Sequence, residues 1–191
     1  MTSLDAKTTA LVLIDLQKGI VATPAAPRSG AEIVAGAQKL AQRFRDAGAP
    51  VILVQVAFAP DFSDAPRQPV DSPMQPPPGG FPADWTDLAE GLQAPGDLVV
   101  TKRQWGAFYG TDLELQLRRR GVKTIVLGGV ATNFGVESTL RQAWEHGFAM
   151  IVAEDLCASR SQELHAFAVA NIFPRLSRVV ASADLTFAAA P

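Results

Sequence analysis

One carboxylate, one lysine and one glycine-rich turn carry most of the chemistry this sequence can offer. Asp15 ends the apolar run Thr9–Ile14. A carboxylate in that setting loses hydration unless a cation or backbone donors compensate it. Lys102 follows a second apolar run, Leu98–Thr101, and is the natural counter-charge. A partly buried aspartate beside a lysine supplies a proton-transfer group and a fixed positive charge, which suits hydrolysis through an anionic or proton-dependent transition state. The same two residues can instead form a structural ion pair between neighbouring strands.

The turn is Gly128-Gly129-Val130-Ala131-Thr132-Asn133-Phe134-Gly135, between a buried strand and the start of a helix. Its glycines let backbone approach a ligand, and Thr132 or Asn133 can cap the helix while backbone N–H groups face a crevice. That makes either an oxyanion or carboxylate site or an ordinary tight turn. The glycine spacing is not that of a dinucleotide-binding fingerprint. Weaker candidates are Gln55, as a hydrogen-bonding contact, and Trp105, Phe108 and Tyr109, which either line a pocket or pack in the core or against another subunit. Cys157 has no histidine or lysine near it in sequence and reads as a small buried residue. His146 falls at a helix C-terminus and His165 within the last helix, and neither forms a metal-binding cluster.

Alternating elements must position these groups. Strand-like runs occupy Thr9–Ile14, Val51–Val56, Leu98–Thr101, Thr124–Leu127, Phe148–Val152 and Arg178–Ala181. Helical patterns lie between most of them. The first has Ser29 and Glu32 at capping-box spacing, with Ile33, Ala37, Leu40 and Phe44 on one face and Gly48 and Pro50 beyond its end. Another begins at Thr111, with Glu114 in the reciprocal capping position, and stops at Gly121. A third runs from about Asn133 to His146 and buries Val136, Leu140 and Ala143. The last starts near Ser161 and cannot pass Pro174 intact. The order predicts an α/β chain with a three-layer, Rossmann-like fold: a six-stranded parallel sheet with helices on both faces. In such sheets ligands bind beyond the carboxyl ends of the strands, where Asp15, Gln55, Lys102 and the 128–135 turn all fall.

The stretch Pro60–Pro95 breaks the rhythm. It carries Pro66, Pro69, Pro73, Pro76, Pro77, Pro78, Gly79, Gly80 and Pro82, so it must be mostly loop. Either it covers the active site or meets another subunit, or it is an insertion without a role.

With 191 residues, 48% of them hydrophobic, the chain can bury one sizeable core and reads as a single domain, 1–191. A net charge of -2 with dispersed basic residues argues against nucleic acid or an anionic membrane surface as partner. The cluster Arg118-Arg119-Arg120 closes a helical pattern and reads as favourable charge at a helix C-terminus. Met1–Lys7 lacks the pattern of a signal peptide, no apolar run approaches bilayer length, and one cysteine cannot make an internal disulfide, so a cytoplasmic location is expected.

Three blocks, Leu13-Ile14-Asp15-Leu16-Gln17, Lys102-Arg103-Gln104-Trp105-Gly106-Ala107-Phe108-Tyr109-Gly110-Thr111-Asp112-Leu113 and Gly129-Val130-Ala131-Thr132-Asn133, resemble the isochorismatase-like hydrolases in content, order and spacing. The resemblance covers essentially Thr9 to Val180, and Val136-Glu137-Ser138-Thr139 and Ala153-Glu154-Asp155 extend it. The family includes isochorismatases, nicotinamidases and N-carbamoyl amidohydrolases, most of which use an aspartate, a lysine and a cysteine nucleophile. The resemblance assigns the first two roles to Asp15 and Lys102. At the family's cysteine position, on the helix N-terminus, this sequence has Gly135.

Glycine cannot form a thioester, so the covalent route loses its central atom. Isochorismatases proper are similar in this respect. They cleave an enolpyruvyl ether: a carboxylic acid protonates the vinyl carbon, water adds to the resulting cation, and pyruvate leaves. The resemblance thus implies a hydrolase of a small, carboxylated molecule, with Asp15 as proton donor and Lys102 polarising the reacting groups. The amides from Ala131 to Gly135, with Thr132 and Phe134 among the contacts, would hold a substrate oxygen. No cofactor is implied. Nicotinamidases bind metal through an aspartate and histidines after the second strand, but Phe58–Asp64 contains no histidine. An amide hydrolase using water activated by Asp15, and a binding or assembly protein that has lost catalysis, remain as alternatives. Family resemblance also implies a homo-oligomer, a dimer or tetramer.

Overall fold

The computed structural model describes residues 1–73 and 79–188. Pro76, Pro77 and Pro78 of the proline-rich stretch lie outside the described residues. In chain order the elements are β1 (Thr2–Leu4), β2 (Thr9–Ile14), α1 (Lys18–Val21), α2 (Gly30–Asp46), β3 (Val51–Val56), β4 (Leu98–Lys102), α3 (Leu113–Arg119) and β5 (Thr124–Val130). A π-helical turn (Thr132–Val136) then runs into α4 (Glu137–Glu145), followed by β6 (Ala149–Ala158), α5 (Gln162–Phe167), β7 (Arg178–Val180) and β8 (Leu185–Phe187).

Six strands form one all-parallel sheet in the order β4-β3-β2-β5-β6-β7, the expected α/β architecture. Alternate residues of each strand feed two cores. Ala10, Val12, Ile14, Ile52, Val54 and Val100 pack with Leu113, Leu117, Leu140 and Ala143 of α3 and α4. Leu11, Leu13 and Leu53 pack on the other face with Ile33, Ala37, Leu40 and Phe44 of α2. Such double coverage is why β2 is buried along its whole length. From β2 the chain winds outward through β3 to β4, then restarts at β5 and winds the other way. The reversal lies between β2 and β5, where crevices open in sheets of this kind.

Local signals placed α2 well. The Ser29 hydroxyl accepts from Glu32 N–H and the Glu32 carboxylate accepts from Ser29 N–H, a complete capping box. The expected box at Thr111 and Glu114 does not form. Thr111 Oγ1 donates to Ala107 O at 2.6 Å and accepts from Leu113 N–H at 3.2 Å, while Glu114 pairs with Arg118 and His146, so the helix begins two residues later than Thr111. β6 runs on to Ala158, well beyond the expected Val152, because it bulges: Val152 pairs with Leu127 and Cys157 with Gly129, leaving residues 153–156 opposite Gly128 alone. A second small sheet, β1 beside β8, was not expected.

The proline-rich excursion has little regular structure among its described residues, but it is anchored. Phe58, Phe62, Phe81 and Trp85 form a row with centroid spacings of 5.8, 5.9 and 4.3 Å. Lys18 pairs with Asp87 at 3.0 Å, and a Cβ at Gly19 would fall 1.9 Å from Trp85 Cδ1, so the indole lies directly on α1. No helix among the described residues is long and apolar enough to cross a membrane.

Candidate active site

Asp15 leaves the end of β2 with φ of 54°, a left-handed conformation uncommon outside glycine. Its N–H still donates to Val54 O at 2.8 Å. That twist turns the carboxylate out of the strand's alternation and toward Lys102, whose Nζ lies 2.8 Å from Asp15 Oδ2. Lys102 is 1% exposed and donates a second bond to Trp105 O at 2.5 Å. Asp15 Oδ1 is buried and meets no hydrogen-bond partner among the described residues. Burial pushes the Asp15 carboxyl up to about 6, against the opposing pull of the Lys102 ammonium.

The turn after β5 lies against this pair. A Cβ built on Gly135 would fall 3.0 Å from Asp15 Oδ2, 3.0 Å from Ile14 Cγ2 and 3.1 Å from Lys102 Nζ. Two ties hold it there. Thr139 Oγ1 donates to Gly135 O at 2.7 Å and accepts from Ala107 N–H at 3.2 Å, joining the turn to the segment after Lys102. Gly129, with φ of 127°, lets β5 approach β2 where a Cβ would lie 2.2 Å from Ile14 O. Phe134 N–H and Val136 N–H both donate to Ala131 O, and the Val130–Ala131 peptide is cis.

The structure therefore brings Asp15, Lys102 and Gly135 together, with Phe134 and Trp105 beside them. The last two rings pack 4.8 Å apart, and Trp105 is 61% exposed. The other five expected contacts are placed differently. Gln55 projects from the α2 face of β3, donates to Thr101 Oγ1 at 3.1 Å and lines a separate depression of about 540 Å³ with Thr86 and Val99. Strand alternation is the reason, since Val54 faces the other core. Phe108 is a core residue, stacked on His146 at 5.1 Å and near Phe148 at 5.9 Å. Tyr109 stands 77% exposed. The Thr132 hydroxyl is fully buried and faces His165 Nδ1 at 2.9 Å, so only its backbone belongs to the site. Ala131 packs partly against the α2-side core. A larger depression, about 630 Å³, lies at the opposite end of the sheet between Thr2, Thr124, Trp144 and Arg178, and holds none of these groups.

Cys157 is buried beside Gly129, and burial pushes its thiol up to about 12, which leaves it no thiolate character near neutrality. Among the described residues no group of three or more His, Cys, Asp or Glu side chains is arranged to hold a metal ion.

Sequence reasoning missed two supporting groups. Gln17, fully buried, donates from Nε2 to Val56 O and Thr86 O and accepts from Val56 N–H, tying the ends of β2 and β3 to the excursion. Its position two residues after Asp15 was the available signal. His165 joins Thr132 to Glu154, a long-range contact with no sequence signature.

The fold is an α/β protein with a parallel, doubly wound sheet, and a buried carboxylate–ammonium pair lies at the carboxyl ends of its strands under a helix-opening turn. The chain belongs to the isochorismatase family: the isochorismatase domain matches residues 9–184. It is 52% identical over 180 residues to YecD, an uncharacterised isochorismatase family protein of Escherichia coli O157:H7, covering 94% of this chain and 95% of that one. An isochorismatase family protein from Burkholderia thailandensis superposes with a TM-score of 0.91 at 46% identity, covering 96% and 95% of the two chains. The ureidoacrylate amidohydrolase RutB of Methylobacterium radiotolerans is 30% identical over 194 residues, 89% of this chain and 75% of that one.

Proposed function

We propose that this chain is a hydrolase of a small, carboxylated molecule, working by acid and electrostatic catalysis without a covalent intermediate, with vinyl-ether hydrolysis of the isochorismate type as its reaction. The observation that carries the reading is Gly135. A Cβ at position 135 would meet both Asp15 Oδ2 and Lys102 Nζ, but the residue there has no side chain to attack a carbonyl. Asp15, raised to about 6, keeps a reactive proton close to neutrality and can deliver it to a vinyl carbon. Water then adds to the cation, and collapse of the hemiketal releases pyruvate and the alcohol. Lys102 offers fixed positive charge to the substrate oxygens, and the exposed Trp105 ring, packed at 58° against the half-buried Phe134, supplies apolar surface. The exposed rings of Trp105 and Tyr109 also support a homo-oligomer.

The test is pyruvate release from isochorismate by purified protein, with Asp15→Asn as control. Release that disappears in the variant supports the reading; release that survives it rejects Asp15 as the acid. A second reading, an amide hydrolase in which ionised Asp15 activates water, draws support from the similarity to the ureidoacrylate amidohydrolase. Ureidoacrylate turnover without pyruvate release from isochorismate would favour it.

A further inference from the structure

Four side chains from four separate segments form one polar chain behind the turn, buried at Thr132 and His165 and part-buried at Arg28 and Glu154. Arg28, just before α2, grips Glu154 of β6 through NH1 to Oε1 at 2.9 Å and NH2 to Oε2 at 3.2 Å. Glu154 Oε1 also meets His165 Nε2 at 2.8 Å, and His165 Nδ1 meets Thr132 Oγ1 at 2.9 Å. His165 is 4% exposed and Thr132 is fully buried. The bulge in β6 is what swings Glu154 out to reach α5. Burial works against the Glu154 charge, but Arg28 and His165 outweigh it and hold the carboxyl below its ordinary range. An ionised carboxylate only accepts, so Nε2 carries the proton. In the neutral ring Nδ1 must then accept, and Thr132 Oγ1 donates to it. Every polar atom along this line has a defined role.

We infer that His165 is a positioning residue for the Asp15 site: held by Glu154, it locks Thr132 at the opening of the 132–136 turn and so sets how closely Gly135 covers the Asp15–Lys102 pair. The argument is geometric. Thr132 opens the same π-helical turn that contains Gly135. The Asn133 side chain accepts from Ser159, next to the end of β6, so both opening residues of the turn are fixed from the same side. A charged network that ends on one hydroxyl at the head of the turn fixes an orientation that packing alone does not. The catalytic consequence rests on the reading of Asp15 proposed above, whereas the effect on the geometry around Asp15 does not.

The experiment follows the Asp15 carboxyl by carbon-13 NMR titration, which needs no substrate. In the unaltered protein the midpoint is expected at about 6. His165→Leu and the isosteric Thr132→Val cut the line at two points. In either variant the turn is expected to loosen and water to reach the carboxylate, bringing the midpoint down by about one unit toward its ordinary range. His165→Asn, whose amide can still accept from Thr132 but lacks the atom that meets Glu154, is expected to shift the midpoint less than His165→Leu does. Variants that lose thermal stability while Asp15 titrates unchanged would show that His165 only supports α5, and the inference would be wrong. If isochorismate is a substrate, kcat falls roughly tenfold in His165→Leu with KM little changed. Absence of pyruvate release in every form, with the titration shift present, would reject the proposed reaction and leave the positioning role standing.

Discussion

The Asp15 carboxylate and the Lys102 ammonium meet at 2.8 Å although their strands are not neighbours: β3 lies between β2 and β4. Adjacent strands lie about 4.8 Å apart, so the pair reaches across roughly twice that spacing, over the end of β3. The left-handed backbone at Asp15 and the extended Lys102 side chain make the reach possible. This is not the ladder ion pair that two facing residues on adjacent strands would form.

The pH dependence follows from the raised Asp15 carboxyl. Its proton affinity in the fold, about 6, exceeds the ordinary value of 3.8, so the folded state binds more protons between those limits. The stability this group contributes is present below about pH 4 and is lost as pH rises through about 6, an effect on the order of 3 kcal/mol. Thermal melts across that window should show a decline that Asp15→Asn lacks. Turnover should decline as well. With Asp15 as the acid, kcat/KM falls tenfold per unit above about 6, whereas a base role gives a limb rising through the same value. A flat profile would remove Asp15 from the rate-limiting proton transfer.

Removing one partner of the pair leaves a buried charge uncompensated. Asp15→Ala is expected to cost about 3–5 kcal/mol in urea unfolding, because Lys102 is 1% exposed and keeps, among the described residues, only the Trp105 carbonyl. Replacing both, as in Asp15→Leu with Lys102→Met, should recover most of that loss or exceed the original stability, since both desolvation penalties disappear. The double variant should be inert toward any substrate. A double variant less stable than either single one would mean that the pair holds the fold together, and that function is not the reason it is retained.

Much of this arrangement was legible in the sequence where the signal is local. Ser29 and Glu32 are three residues apart and cap α2 as read, and Asp15 and Lys102 stand at the ends of apolar runs. Gln55 was misread although its parity with Val54 was visible: in a strand one residue flips the face. Phe108 could not be sorted from Trp105 by type, since only packing places one ring in the core and the other at the surface. The Arg28–Glu154–His165–Thr132 line joins positions up to 126 residues apart, and the β1–β8 pair joins two three-residue strands near opposite ends of the chain. Neither leaves a periodic trace.

Gly135 tests the covalent alternative. Gly135→Cys places a thiol at the head of the segment that continues into α4, beside Lys102, where it should ionise near neutrality. Its Cβ meets neighbours at 3.0–3.1 Å, so a cost of about 1–3 kcal/mol from overpacking is expected. Iodoacetamide should label the new cysteine rapidly and leave Cys157 untouched, and esterase activity toward a small activated ester should appear. A thiol at 135 as unreactive as Cys157 would mean that the turn and the pair do not form a nucleophile-activating site.

Gln17 decides whether the excursion matters to the site. Its amide satisfies Val56 N–H, Val56 O and Thr86 O inside the protein, at 2.7, 2.9 and 3.2 Å. Gln17→Leu keeps the volume but strands those three groups, at a cost on the order of 3 kcal/mol. The loss is not spread evenly. Val56 belongs to β3 and stays paired with its neighbours, whereas the segment around Thr86 keeps the exposed Lys18 ion pairs, the Trp85 contact with Gly19 and backbone bonds from Lys18, Gly19 and Ala89 that lie near the surface. The excursion should therefore detach before the sheet melts. Limited proteolysis of Gln17→Leu is expected to cut between residues 60 and 90 under conditions where the unaltered chain survives, with the far-ultraviolet circular dichroism unchanged. If the detached form turns over substrate with an unchanged KM, the excursion does not cover the site; a raised KM with kcat retained identifies it as part of the binding wall over Asp15.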